Sequence, residues 1–108
     1  MTGWKETPSQ KKKIMQITLK TFATLKDVIG QKEIPVELAP KANLTDLFDF
    51  LDKKYGNSFD RQVRDQLTKE LVPFLILIND KTYRSIADMD QPISDGDVVT
   101  IMIPFDGG

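Results

Sequence analysis

The chain has 108 residues, 40% of them hydrophobic and 29% charged, and a formal net charge of −1. That length supports one domain with a modest core, and the near-zero charge offers no basic field for nucleic acid and no polyacidic tail. Neither cysteine nor histidine occurs, which excludes disulfides, thiolate nucleophiles, Cys- and His-based metal sites, and Ser-His-Asp or Cys-His catalysis within the chain.

No stretch approaches the roughly 18 consecutive apolar residues of a membrane helix. The first residues hold no apolar run of the secretory kind. The expectation is a cytoplasmic protein with no membrane attachment.

Residues 1–13, MTGWKETPSQKKK, mix Gly, Pro, Ser and lysines without a period, and read as a disordered extension. Residues 14–22, IMQITLKTF, alternate with period two and predict a strand. Ala23 to Gly30 is a short apolar-spaced segment with a glycine stop, a helical turn. Residues 33–38, EIPVEL, alternate again; Pro35 cannot donate a ladder hydrogen bond, so this strand is expected at a sheet edge.

The clearest helix spans residues 43–55. Asn43 is its N-cap, with the Asp46 carboxylate three residues on. Leu44, Leu47, Phe48, Leu51 and Tyr55 form one apolar stripe. Asp46, Asp49 and Asp52 lie off it, as solvated charge rather than a metal or acid–base site. Gly56 stops the helix. Phe59, Val63 and Leu67 fall four apart and predict a second, shorter helix within 58–70.

Phe74 to Asn79, FLILIN, is a nearly continuous apolar run and predicts a central strand buried on both faces. A turn at 79–82, a short strand at 82–85 and a loop at 87–92 follow. Ser94-Asp95-Gly96-Asp97 is a tight turn; Asp95 and Asp97 lack the remaining ligands of a calcium loop. Residues 98–103, VVTIMI, form the last strand, which Pro104 ends. Strand, strand, helix and then strands give an α+β roll of the β-grasp kind, a mixed sheet with the main helix across one face.

The sequence closes on Pro104-Phe105-Asp106-Gly107-Gly108. Glycine lets an extended backbone enter a slot that a side chain would block. Two final glycines arise by chance in about one chain in two hundred, so they gain weight only from what precedes them.

What precedes them agrees. Phe22-Ala-Thr-Leu-Lys-Asp-Val-Ile-Gly30 resembles the "FAxLRExxG" stretch after the first strand of molybdopterin synthase small subunits (MoaD). Ala42-Asn-Leu-Thr-Asp-Leu-Phe48 is similar to the "ATVGDLL" opening of their helix, and Ile76-Leu-Ile-Asn79 to their "vaVNg" strand. Pro92-Ile-Ser-Asp-Gly-Asp-Val-Val99 resembles their "pLkDGDeV" turn, and Gly107-Gly108 completes the set. The resemblance to the MoaD/ThiS sulfur-carrier family covers residues 14–108. The chain departs from it in placing Ile103 where a first proline is common and Phe105-Asp106 ahead of the glycines.

The resemblance implies a ubiquitin-like β-grasp domain over 14–104 and a flexible functional tail over 105–108. A partner of the ubiquitin-activating type would use ATP and magnesium to adenylate the Gly108 carboxylate. Sulfur would displace AMP and leave a thiocarboxylate, with Gly107 giving clearance. The chain itself would be a carrier, not an enzyme, and would bind no cofactor or metal. The acceptor implied is the molybdopterin synthase large subunit, in molybdenum cofactor biosynthesis, or another sulfur acceptor enzyme. A thiamin-type carrier, or a modifier joined to lysines through the same Gly-Gly end, shares these features; a non-catalytic interaction module is the plain alternative. Ile101, Ile103, Pro104, Phe105 and Asp106 are the candidate partner-docking residues, with core filling as the other reading of Ile101 and Ile103.

Overall fold

A computed structural model of the chain describes residues 14–103. The extension at 1–13 and the residues from Pro104 onward lie outside the described residues.

The sheet is built from five strands, β1 (Met15–Thr21), β2 (Glu33–Leu38), β3 (Leu75–Ile78), β4 (Lys81–Tyr83) and β5 (Val98–Met102), in the order β2-β1-β5-β3-β4. β5 lies parallel to β1, with Thr21 opposite Ile101. The other pairs are antiparallel. The sheet is therefore mixed, and β2 is an edge, as Pro35 predicts.

β1 alternates as expected: Met15, Ile17, Leu19 and Thr21 are buried. The Thr21 hydroxyl, the one buried polar side chain among the described residues, donates to the Gln31 carbonyl at 3.4 Å. The chain then turns into α1 (Ala23–Ile29). Gly30 ends that helix at φ 96°, a left-handed position that glycine takes without a Cβ clash.

α2 (Leu44–Tyr55) crosses the sheet with Leu44, Leu47, Phe48 and Leu51 buried. Its start is a full capping box: Asp46 N–H donates to Asn43 Oδ1, and Asn43 N–H donates to Asp46 Oδ2, both at 2.9 Å. The Tyr55 hydroxyl at its far end has its pKa raised by burial.

α3 (Asn57–Val63) is shorter than its periodicity predicts. Phe59 and Val63 are buried, and Phe59 meets Phe48 edge to face at a centroid distance of 5.7 Å. Leu67 does not join them. The backbone turns extended at Arg64, whose guanidinium reaches back to Asp52 and Asp60, each at 3.0 Å. Burial lowers the Arg64 pKa, but the bonds and charges of the two carboxylates outweigh it and leave it raised.

β3 also departs from expectation. It lies second from the edge, β5 takes the middle, and only one of its faces is sealed: Ile76 and Ile78 are buried, Leu75 and Leu77 half-buried. The short strand falls at Lys81–Tyr83, one residue earlier than predicted, and the loop after it holds a 3₁₀ turn, Ile86–Asp90, capped by Ser85 and Asp88. One core joins the sheet's covered face to the helices, running from Ile17, Leu19, Val99 and Ile101 to Leu25, Leu47, Phe48 and Phe59.

Candidate functional site

The last strand ahead of Gly107-Gly108 is β5 (Val98–Met102), and the sheet dictates where β5 ends. Met102 stands opposite Leu75, the first residue of β3. Thr21, the last residue of β1, stands opposite Ile101. So α1, which follows β1, and the connection from Arg64 to Phe74, which precedes β3, flank the end of the sheet from which the chain continues toward Gly108.

Ile101 is a correction. It is fully buried at 0% exposure and belongs to the core rather than to a docking surface. Ile103 is half-buried and leans on that core. Pro104, Phe105, Asp106, Gly107 and Gly108 lie outside the described residues.

The open face of the sheet supplies residues that sequence reading missed. Period two turns Val98, Thr100 and Met102 away from the helices, with Leu75 and Leu77 beside them, all half-buried. Thr100 aligns with Lys20 on one side and Leu77 on the other. Lys20 reaches Glu33 at 3.7 Å, an exposed pair of small energetic weight. Phe22, 37% exposed, carries the Lys32 ammonium 5.2 Å from its ring centroid. An apolar strip edged by lysines thus leads to the end of β5. Alternation is the signal that could have found it, but VVTIMI is apolar at both parities, so the pattern alone does not say which face is covered.

Asp95 and Asp97 serve the turn before β5. Asp95 Oδ1 accepts the Gln16 N–H at 2.8 Å, and Asp97 Oδ2 accepts the Ser94 N–H at 2.8 Å. Gly96 takes φ 85° in between. Among the described residues no group of three or more Asp or Glu could hold a metal ion, and no helix is long and apolar enough to cross a membrane. A groove of about 440 Å³ between Glu37–Ala42 and Asp46–Lys53 lies at the other end of the sheet, beside the Met15–Leu38 pair. Among the described residues, the end near Met102 holds no nucleophile–base pair.

Comparison with known proteins matches this arrangement. The sequence model of the ThiS family matches residues 19–108. Small archaeal modifier protein 3 of Haloferax volcanii is 30% identical over 94 residues, which is 87% of this chain and all of that protein. Among solved structures, small archaeal modifier protein 1 of H. volcanii superposes with a TM-score of 0.71 at 21% identity, covering 84% of this chain and 99% of that one. A putative molybdopterin converting factor subunit 1 from Pyrococcus furiosus gives a TM-score of 0.66 at 24% identity, with the same coverage of 84% and 99%. At such identities the two structures establish the fold, a ubiquitin-like β-grasp. With the family match running from within β1 through the helices to the Gly-Gly end, the chain belongs to the ThiS family of small ubiquitin-like carriers and modifiers.

Proposed function

We propose that this protein carries sulfur on Gly108. A ubiquitin-activating-type partner in the cytoplasm holds ATP and magnesium. There the Gly108 carboxylate attacks the α-phosphorus of ATP, pyrophosphate leaves, and an acyl adenylate forms. A sulfur nucleophile then displaces AMP and leaves the thiocarboxylate. Adenylation is needed because a carboxylate is a poor acyl donor. The acceptor in this reading is a molybdopterin synthase large subunit, which takes the sulfur into a pyranopterin precursor. A thiamin-type acceptor would use the same end.

The observation that carries the reading is the family match, which runs from the sheet through to Gly108. β5 supports it by ending at one end of the sheet, where Met102 pairs with Leu75 and the half-buried Thr100 and Leu77 lie beside them. Gly107 gives clearance in the partner's channel, and Ile103, Pro104, Phe105 and Asp106 contact its mouth.

A second reading has its own support. The relative that is 30% identical over 94 residues is a small archaeal modifier protein. The same adenylated Gly108 would then be joined to lysine amines of other proteins.

Intact-mass spectrometry tests both. After incubation with the cognate adenylating enzyme, ATP, magnesium and a sulfur source, the expected product gains one sulfur in place of one oxygen at Gly108. No such gain, with an enzyme active on another carrier, overturns sulfur carriage. Higher-mass conjugates in cells, lost on deleting Gly107-Gly108, would favour the modifier. The large subunit that co-purifies with the chain identifies the acceptor.

A further inference from the structure

The connection from Arg64 to Leu71 is a hydrogen-bonded turn with one apolar side chain exposed at its tip. Arg64 and Leu71 close it as an antiparallel bridge. The Asp65 N–H donates to the Glu70 carbonyl at 2.8 Å, and the Lys69 N–H donates to the Asp65 carbonyl at 2.7 Å. Asp65 Oδ1 accepts from the N–H groups of Leu67 (2.8 Å) and Thr68 (3.1 Å), and Thr68 Oγ1 accepts from the Glu70 N–H at 3.2 Å. Lys69 takes φ 66° to make the turn close. At its tip Leu67 is 93% exposed, the most exposed large hydrophobic among the described residues.

Single exposed leucines are common and need no explanation. This one differs in that hydrogen bonds fix the backbone that presents it and in where it stands. Fixing the backbone of a turn before contact removes part of the entropy loss on binding. Leu71 lies four residues before Leu75, so the base of the turn is within about 14 Å of the residue that pairs with Met102. Six residues separate Met102 from the end at Gly108, a reach of at most about 20 Å. A partner that encloses Gly108 therefore rests against the end of the domain that carries the turn.

We propose that Leu67 is an anchor for the adenylating enzyme that activates Gly108, seated in an apolar pocket on that enzyme. This inference rests on the functional reading above. The adenylating enzyme is the occupant, rather than an acceptor, because sulfur carriage and lysine conjugation both require adenylation first.

The test is Gly108-dependent ATP–pyrophosphate exchange by the cognate adenylating enzyme, with the full chain and its Leu67→Ser and Leu67→Met variants. The expected result is a KM for the Leu67→Ser chain raised about tenfold, an unchanged kcat, an unchanged melting temperature, and a KM near wild type for Leu67→Met. Asp65→Ala, which loosens the turn and keeps the leucine, raises KM less. A wild-type KM for Leu67→Ser overturns the inference and leaves the functional reading standing. Normal exchange with impaired delivery to an acceptor also overturns it, in favour of the acceptor. No exchange with the wild-type chain overturns the functional reading and this inference together.

Discussion

Asn79 and Asp97 lock the two turns at the start of β5 to each other. Asn79 Nδ2 donates to Asp97 Oδ1 at 2.9 Å, and Asn79 Oδ1 accepts the Val98 N–H at 3.0 Å. The Asn79 backbone N–H donates to the Val98 carbonyl at 2.8 Å. Asn79 sits at φ 56°, which asparagine tolerates better than most residues. Asn79→Ala should lower stability by about 1–3 kcal/mol, from two lost hydrogen bonds and a left-handed alanine. Asn79→Gly relieves the strain and keeps the bond loss, so it should fall between alanine and wild type. Urea unfolding checks both, and a glycine variant equal to wild type would assign the side-chain bonds no net weight.

The capping box of α2 gives a second expectation. Asn43→Ala removes the acceptor for the Asp46 N–H and should lower stability by about 1 kcal/mol. Asn43→Ser should restore most of it. A thermal melt of the three chains measures the series. An alanine variant as stable as wild type would mean that the Leu44 N–H to Gln91 carbonyl bond, 3.2 Å, fixes the helix start without the cap.

Ile101 and Leu67 should behave as opposites. Ile101→Ala empties a fully buried site and should lose about 2–5 kcal/mol. Leu67→Ala changes a side chain that is 93% exposed and should stay within about 0.5 kcal/mol. Denaturant midpoints decide this. If Ile101→Ala were neutral in stability, the strand would not be seated as described.

Asp65 gives a pH dependence with a definite sign. Hydrogen bonds from the Thr68 and Leu67 N–H groups hold its pKa below the ordinary carboxylate value. A depressed folded-state pKa contributes order to the turn that is fully present above the ordinary carboxylate range and is lost as pH falls through the lowered value. The amide resonances of Leu67 and Thr68 should therefore shift together with a midpoint below the ordinary carboxylate value, and not between neutral pH and that value. Asp65→Asn should abolish that titration. A midpoint at or above the ordinary carboxylate value would show that the bonds do not favour the charged form.

Local pattern made some of this legible. β1 alternates cleanly, and the Asn43–Asp46 spacing with the stripe from Leu44 to Leu51 defines α2. Pro35 marks an edge because it lacks an N–H. Three features were hidden for physical reasons. Leu67 continues the spacing of Phe59 and Val63, but the Asp65 carboxylate captures the amides of Leu67 and Thr68, so that the side chain competes with the helix for them. Leu75 to Ile78 reads as sealed on both faces because all four residues are apolar, whereas one core covers one face. The middle position of β5 comes from its parallel pairing with β1, some eighty residues away, and no local window holds that information. For the same reason Ile101 and Met102 could not be told apart until the sheet assigned one to the core and the other to the open face.

The place of β5 has a consequence for damaged molecules. Remove Val98–Met102 and the sheet falls into two separate two-stranded ribbons, β1–β2 and β3–β4, neither of which is expected to persist alone in water. The strand that leads to the glycines is also the one that joins the two halves. A chain clipped ahead of Val98 should therefore unfold rather than persist as a folded fragment.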